Sequence, residues 1–237
     1  MRLDDIWHMK RLNFFPAISD ADMEALLRDN PLQTFKKGQP IYIAGQSANA
    51  MYLLKEGHVR MTRLAPEGRS LILDILNPGD VFGEQALAGI DQRSETADAM
   101  PDCVICPVPI PVMEGLLKQN PDMALQLTKI IGFRRHQIEM KIESLIFCTV
   151  PVRLARTLLM LANRYPGQTQ KGFRYVKLRI THRELGELIG ANREIVTATL
   201  NKFERDGLIS FVRRWTVLHD EDRINILAGN EIVAARA

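Results

Sequence analysis

Arg193 and Glu194 stand side by side in Ala191-Asn-Arg-Glu-Ile-Val-Thr197, and Thr197 follows one helical turn later. An arginine can donate two parallel hydrogen bonds to guanine O6 and N7, and a glutamate can accept from cytosine N4. The pair therefore has the chemistry to read base edges in a major groove. That use requires a helix whose first turn projects these side chains. Thr181 and Glu184 form a capping box, which starts a first helix by satisfying two of its orphan amides. Leu185, Leu188 and Ile189 give that helix an apolar face, and Gly190-Ala191-Asn192 supplies a short turn with Asn192 placed to cap a second helix. Val196, Leu200 and Phe203 recur at i, i+4 and i+7, and Gly207 ends the second helix. Two short helices joined by a three-residue turn containing glycine make a helix-turn-helix, whose second helix enters the major groove. An ordinary solvated helix start would also carry Arg-Glu, but cap, turn, glycine and charge all agree on the base-reading alternative.

Charge supports the same portion of the chain. Between Lys171 and Trp215 lie ten basic and five acidic residues, a surplus of five, so the remainder carries −2 of the overall +3. One basic region on a slightly acidic remainder is the pattern of a domain that meets phosphate. Arg213 and Arg214, between the apolar runs Leu208–Val212 and Trp215–Leu218, are placed at a hairpin tip that could touch the DNA backbone or simply be solvated.

A second constellation is Asp80-Val-Phe-Gly83-Glu84-Gln85 with Arg93-Ser94. Glycine before a short helical turn leaves amides able to cradle a phosphate. Arg93 could neutralise that charge, Ser94 donate to it, and Glu84 hold a sugar hydroxyl, with Gln85 lining the same cradle.

Other chemistries fit poorly. Cys103, Cys106 and Cys148 are the only thiols, too few for an iron-sulfur cluster, which needs about four in clustered spacing. Cys103 and Cys106, three apart in an expected strand, face opposite sides and read as core residues, so no metal site is assigned. The histidines (8, 58, 136, 182, 219) are scattered; a haem held by His8 or another of them is disfavoured. The barrel region contains only His58, whereas a metal-dependent enzyme on such a barrel needs a histidine-rich facial set. A non-enzymatic role is therefore expected. Sparse cysteines indicate a reducing compartment. With neither a secretory leader nor a membrane span in view, the expectation is a cytoplasmic protein with no membrane partner.

These groups must be positioned by a two-domain chain. From Leu32 to Pro111, glycine and proline punctuate short apolar runs such as Met51–Leu54, His58–Leu64 and Leu71–Leu76. The spacing predicts an antiparallel barrel or jelly roll. A capped short helix beginning at Ser19 precedes it. Pro121–Phe147 then reads as one long helix. Leu127, Ile131, Ile138, Ile142 and Leu145 form a narrow apolar stripe along it, suited either to a two-stranded seam or to packing on the chain's own barrel. Arg134 and Lys141 at intervening seam positions weaken the first option. Pro151 ends the long helix, Val152–Asn163 reads as a second, apolar one, a turn-rich link spans Tyr165 to Gly172, and Phe173–Ile180 is an expected strand. The fold class is α+β: an N-terminal antiparallel jelly roll over 1–112, a dimerisation helix and hinge over 113–150, and a winged helix-turn-helix over 151–237.

The stretches Arg179–Leu200, Leu145–Leu159 and Gly83-Glu84 with Arg93-Ser94 resemble the cyclic-AMP receptor protein/FNR family of bacterial transcription regulators, and the likeness covers nearly the whole chain. It implies a jelly-roll sensor domain similar to cyclic-nucleotide-binding domains, a homodimer, and double-stranded DNA as partner. Arg193 and Glu194 fall on the family's base readers, and Arg179 and Thr181 on phosphate-contacting positions. Ala198 stands where a third reader, commonly arginine, is usual, and the wing lacks the usual glycine turn. In the sensor cassette, Glu95 follows Ser94 where a small residue is usual. Ile138 and Glu139 replace the hydroxyl residues that contact adenine in cyclic-AMP binders. A buried carboxylate beside a ligand phosphate is costly, so a cyclic nucleotide is one candidate effector and the effector stays unassigned. Activation would add RNA polymerase as a partner, through a surface no residues identify. Two alternatives accompany the main reading: a sensor whose helix-turn-helix meets protein, and a regulator that acts without a small molecule.

Overall fold

The computed structural model describes residues 26–170, 172–213 and 215–229. They divide into two compact units, with the division inside one long helix between Gln137 and Ile138. The helix expected from Ser19 lies outside the described residues as far as Ala25.

The first unit is a jelly roll of two four-stranded antiparallel sheets. One sheet has the order β1 (Gln33–Phe35), β8 (Cys103–Pro109), β3 (Ala50–Glu56), β6 (Val81–Phe82). The other runs β2 (Pro40–Tyr42), β7 (Thr96–Ala99), β4 (Val59–Leu64), β5 (Ser70–Leu76). Strand alternation sorts the apolar residues into two cores. Leu54 of β3 faces Tyr42, Val59, Leu76, Phe82 and Ile105 between the sheets. Met51 and Leu53 of the same strand face outward to a second cluster, closed by Met113 of α1 (Ile110–Gln119) and by Met123, Leu127 and Ile130 of α2 (Pro121–Phe147). Cys103 and Cys106 belong to different cores, as the three-residue spacing on a strand requires.

Leu127 therefore corrects the expected dimer stripe: it is 5% exposed and part of its own unit's core. A seven-residue repeat cannot tell a seam from a helix whose first turns lie on a sheet. Ile131, Ile138 and Ile142 do stand exposed, followed by Ile146 and Phe147. Leu145 is half-buried, and a Cβ added at Gly190 would come 2.8 Å from its Cδ2.

The second unit continues with α3 (Val150–Arg164), whose Leu154, Ala155, Leu158, Leu161 and Ala162 are buried at helical spacing. Its sheet has the order β11 (Ile209–Val212), β12 (Trp215–Leu218), β10 (Arg174–Val176), β9 (Pro166–Gln168). The strand expected over Phe173–Ile180 is shorter, because β10 pairs with β12 only at Tyr175 and Val217. The link expected from Tyr165 contains β9, which pairs with β10 from Pro166 to Gln168. Helix α4 (His182–Ile189) packs on α3 and on α5 (Arg193–Arg205), α5 also meets β11, and α6 (Glu221–Leu227) packs on α3. Among the described residues, no helix is long and apolar enough to cross a membrane.

Candidate nucleic-acid interface and effector site

The start of α4 is fixed by two reciprocal bonds: the Glu184 amide donates to Thr181 Oγ1 at 3.2 Å, and the Thr181 amide donates to Glu184 Oε2 at 2.8 Å. Its end is fixed by Gly190, left-handed at φ +64°, where a residue with a Cβ would be strained. The turn then folds back closely enough that a Cβ at Gly186 would sit 2.5 Å from the Ala191 carbonyl oxygen. Asn192 holds the N-cap position of α5 in extended backbone, but its side chain makes no cap hydrogen bond. That corrects the capping expected of this side chain.

One face of α5 is fully committed to the interior. Val196, Leu200 and Phe203 are 0%, 0% and 2% exposed, and Thr199 donates back to the Ile195 carbonyl at 2.8 Å. The opposite face leaves Arg193, Glu194, Ile195 and Ala198 exposed. Among the described residues, neither Arg193 nor Glu194 has a side-chain hydrogen bond or ion pair. Thr197 is different: its hydroxyl lies 2.9 Å from the Arg193 carbonyl and 3.0 Å from His182 Nδ1. Since the hydroxyl's one proton goes to the carbonyl, His182 Nδ1 is the donor and Thr197 accepts. Burial, and then the charge of Arg193, hold the His182 imidazole below its ordinary range, which favours this neutral ring. The ring also packs against Phe211 of β11, 5.8 Å between centroids. His182 is thus a positioning residue that the sequence reading passed over. Its signal was its place at the first position of α4, one turn from the helix it braces.

Arg179 and Thr181 are exposed before α4, and the Arg179 guanidinium lies 5.9 Å from the centre of the Trp215 ring of β12. Arg213 is exposed at the β11–β12 turn with φ +51°, a left-handed conformation without a glycine. Arg214 lies outside the described residues.

In the jelly roll, Gly83, Glu84, Gln85, Arg93 and Ser94 come together. Glu84 and Gln85 open a 3-10 turn, Glu84–Ala88, directly after β6. The backbone of Arg93 is bonded on both sides to the Gly45–Gln46 loop, at 2.8 Å each. The side chains are heavily engaged. Arg93, 4% exposed, donates to the carbonyls of Gly83 and Ala50 and lies 4.4 Å over the Tyr42 ring. Glu84 is paired at 3.1 Å with Arg134 of α2, which also donates to the Val81 carbonyl. Arg134 therefore turns into the barrel rather than along the expected seam. Ser94 accepts from Arg63 at 2.9 Å and contacts both Gln85 Oε1 and the carboxylate of Glu95. Glu95 is itself 4% exposed and accepts from Tyr42 Oη at 3.1 Å. Burial, and then Glu95, hold the Tyr42 phenol protonated well above its usual range. Tyr42 and Arg63 are members of this cluster that motif reading did not assign, because strand pairing brings them in, and Arg134 reaches it through helix packing. Ile138 and Glu139 are exposed on α2, past the end of this unit.

The barrel thiols are held protonated: burial pushes Cys103 and Cys106 each up to about 11. Among the described residues, no group of three or more histidine, cysteine or acidic side chains is placed to hold a metal ion.

The cyclic nucleotide-binding domain model matches residues 32–120, and the Crp-like helix-turn-helix domain model matches residues 152–225. The chain is 31% identical over 206 residues to the transcriptional regulator LdrP of Thermus thermophilus, covering 86% of this chain and 100% of that protein. It is 27% identical over 222 residues to a CRP-like cAMP-activated global transcriptional regulator of Mycobacterium tuberculosis, covering 94% and 98%. Among solved structures, a CRP/FNR-family regulator of Thermus thermophilus superposes with a TM-score of 0.69 at 30% identity, covering 84% of this chain and 98% of the other. A global regulator of Xanthomonas campestris shares the fold, with a TM-score of 0.75 at 22% identity over 85% and 99%.

Proposed function

Because the chain belongs to the CRP/FNR family of effector-controlled, DNA-binding transcription regulators, whose members bind DNA as dimers, we propose that it reads a near-palindromic duplex through the first turn of α5. Arg193 and Glu194 read base edges, and Thr197, braced by His182, fixes the turn. Arg179, Thr181, Asn192 and Arg213 meet phosphates. Ala198 leaves one base position of each half-site without a charged reader. The observation that carries this reading is the contrast across α5. One face is wholly buried, while the other ends in an arginine and a glutamate with no protein partner among the described residues.

The exposed isoleucines 131, 138 and 142 of α2 provide the two-fold seam, with Leu145 at its edge. The symmetry sets the two recognition helices ~34 Å apart, in successive major grooves. The barrel controls the DNA-binding state by population shift, which requires an effector to favour one state over the other. Its candidate contacts are Gly83, Glu84, Gln85, Arg93 and Ser94. The three sparse cysteines support a reducing, cytoplasmic setting. A role in activation would bring RNA polymerase to a further surface.

Filter binding to random duplex at several salt concentrations tests the DNA reading. The expected logarithmic slope is about −0.9 per phosphate neutralised. Binding that is absent, or unchanged by salt, contradicts it.

A further inference from the structure

We infer that the sensor barrel excludes phosphate-bearing effectors, and that Glu95 is the residue that excludes them. The inference rests on the reading of the barrel as the effector site. A phosphate entering the cradle needs donors and a cation, and in this molecule an internal carboxylate already holds them. Glu95 accepts from Tyr42 Oη at 3.1 Å and from Gln85 Nε2 at 3.3 Å, and it contacts the Ser94 hydroxyl. The Arg63 guanidinium lies 4.0 Å from Glu95 Oε2 while donating to Ser94 Oγ at 2.9 Å. A phenol, a carboxamide, a hydroxyl and a guanidinium around one pair of anionic oxygens is the shell an anionic ligand would otherwise receive. A second anion beside the first, where Glu95 is 4% exposed, would meet like-charge repulsion with little solvent to screen it.

The remaining cassette members give no compensation. Each terminal nitrogen of Arg93 gives one N–H to a backbone carbonyl, of Gly83 or of Ala50, and its guanidinium lies over the Tyr42 ring. Only its Nε is buried without a partner among the described residues. Glu84, the group suited to a sugar hydroxyl, is held by Arg134 at 3.1 Å. The frame of a phosphate site is nevertheless intact, with Gly83, Arg93 and Ser94 in place. Removing the one carboxylate would return Tyr42, Arg63, Gln85 and Ser94 to an incoming anion. The effector this barrel takes accordingly brings no anionic group into the cradle, and Glu95 determines that specificity.

Isothermal titration of the full chain with cyclic AMP, and separately with cyclic GMP, tests this directly. The wild type should give no binding heat at millimolar nucleotide. Glu95→Ala should gain about 10²-fold or more in affinity for at least one of the two, the scale of relieving one close like-charge contact. Glu95→Gln, which keeps the shape and removes the charge, should gain in the same direction and decides the matter if the alanine variant unfolds. Tight nucleotide binding by the wild type overturns the inference, as does a folded Glu95→Gln protein that binds no better than wild type. Random-duplex binding measured on the same samples keeps the two readings apart: its loss in the wild type would contradict the DNA-binding proposal without touching the nucleotide result.

Discussion

The first turn of α5 and the cluster around Arg93 are built from the same residue types and used in opposite ways. At Arg193 and Glu194 the charged groups face solvent without a partner among the described residues, and the helix is held from its other face by Val196, Leu200 and Phe203. Around Arg93, every charged group is tied down: Arg93 to two carbonyls, Glu84 to Arg134, Glu95 to Tyr42, Gln85 and Ser94. Charge left unspent on a rigid support is available to a ligand, because no internal bond has to break first. Charge satisfied internally is part of the fold, and a ligand can use it only by displacing what it holds. Two motifs of similar appearance in the sequence thus have different meanings once the neighbours are known.

Substitutions that probe this contrast fall in a clear order. Phe203→Ala, which strips the support beneath the reading face, should cost ~3–5 kcal/mol of stability. Thermal unfolding would show the loss, and DNA binding would fall with it. Arg93→Ala should come next, at about 2–3 kcal/mol, since it leaves buried carbonyls unpaired and removes a charge-assisted bond. Thr181→Ala removes the α4 cap and should cost ~1 kcal/mol. Arg193→Ala should leave the melting curve within about 0.5 kcal/mol of wild type. Equal stability losses at positions 93 and 193 would erase the distinction between spent and unspent charge.

The smallest effect concerns His182. Its folded-state ring titrates below the ordinary value because of burial and the nearby Arg193. The unfolded chain therefore takes up the proton first. Stability should be fully present above about pH 6.5, decline as the pH falls through that value, and level off once the folded ring protonates. A series of melting curves across this range should show the decline in wild type and a flatter profile in His182→Gln.

Much of the DNA-binding unit was legible in the sequence because its signals are local. A capping box, a glycine turn and an i, i+4, i+7 apolar face each act within a few residues, and α4 and α5 follow them. The Asn192 side chain is an exception, since cap geometry depends on a rotamer that residue type does not dictate. The strands of the jelly roll were legible from punctuation and alternation, yet the meaning of its charged cassette was not. That meaning depends on Tyr42, Arg63 and Arg134, which approach from β2, β4 and α2 through pairings far apart in the chain. The same limit explains Leu127, where periodicity gave a stripe but not the surface the stripe meets.

In vitro selection of duplexes from a random pool, by wild type and by Arg193→Ala, tests the central claim most directly. The wild type should enrich a two-fold-symmetric sequence. The variant should lose ~1–3 kcal/mol of discrimination at one base pair of each half-site, with affinity for random DNA preserved. Equal losses on selected and random duplexes, or no enriched sequence for the wild type, would contradict base reading by the first turn of α5.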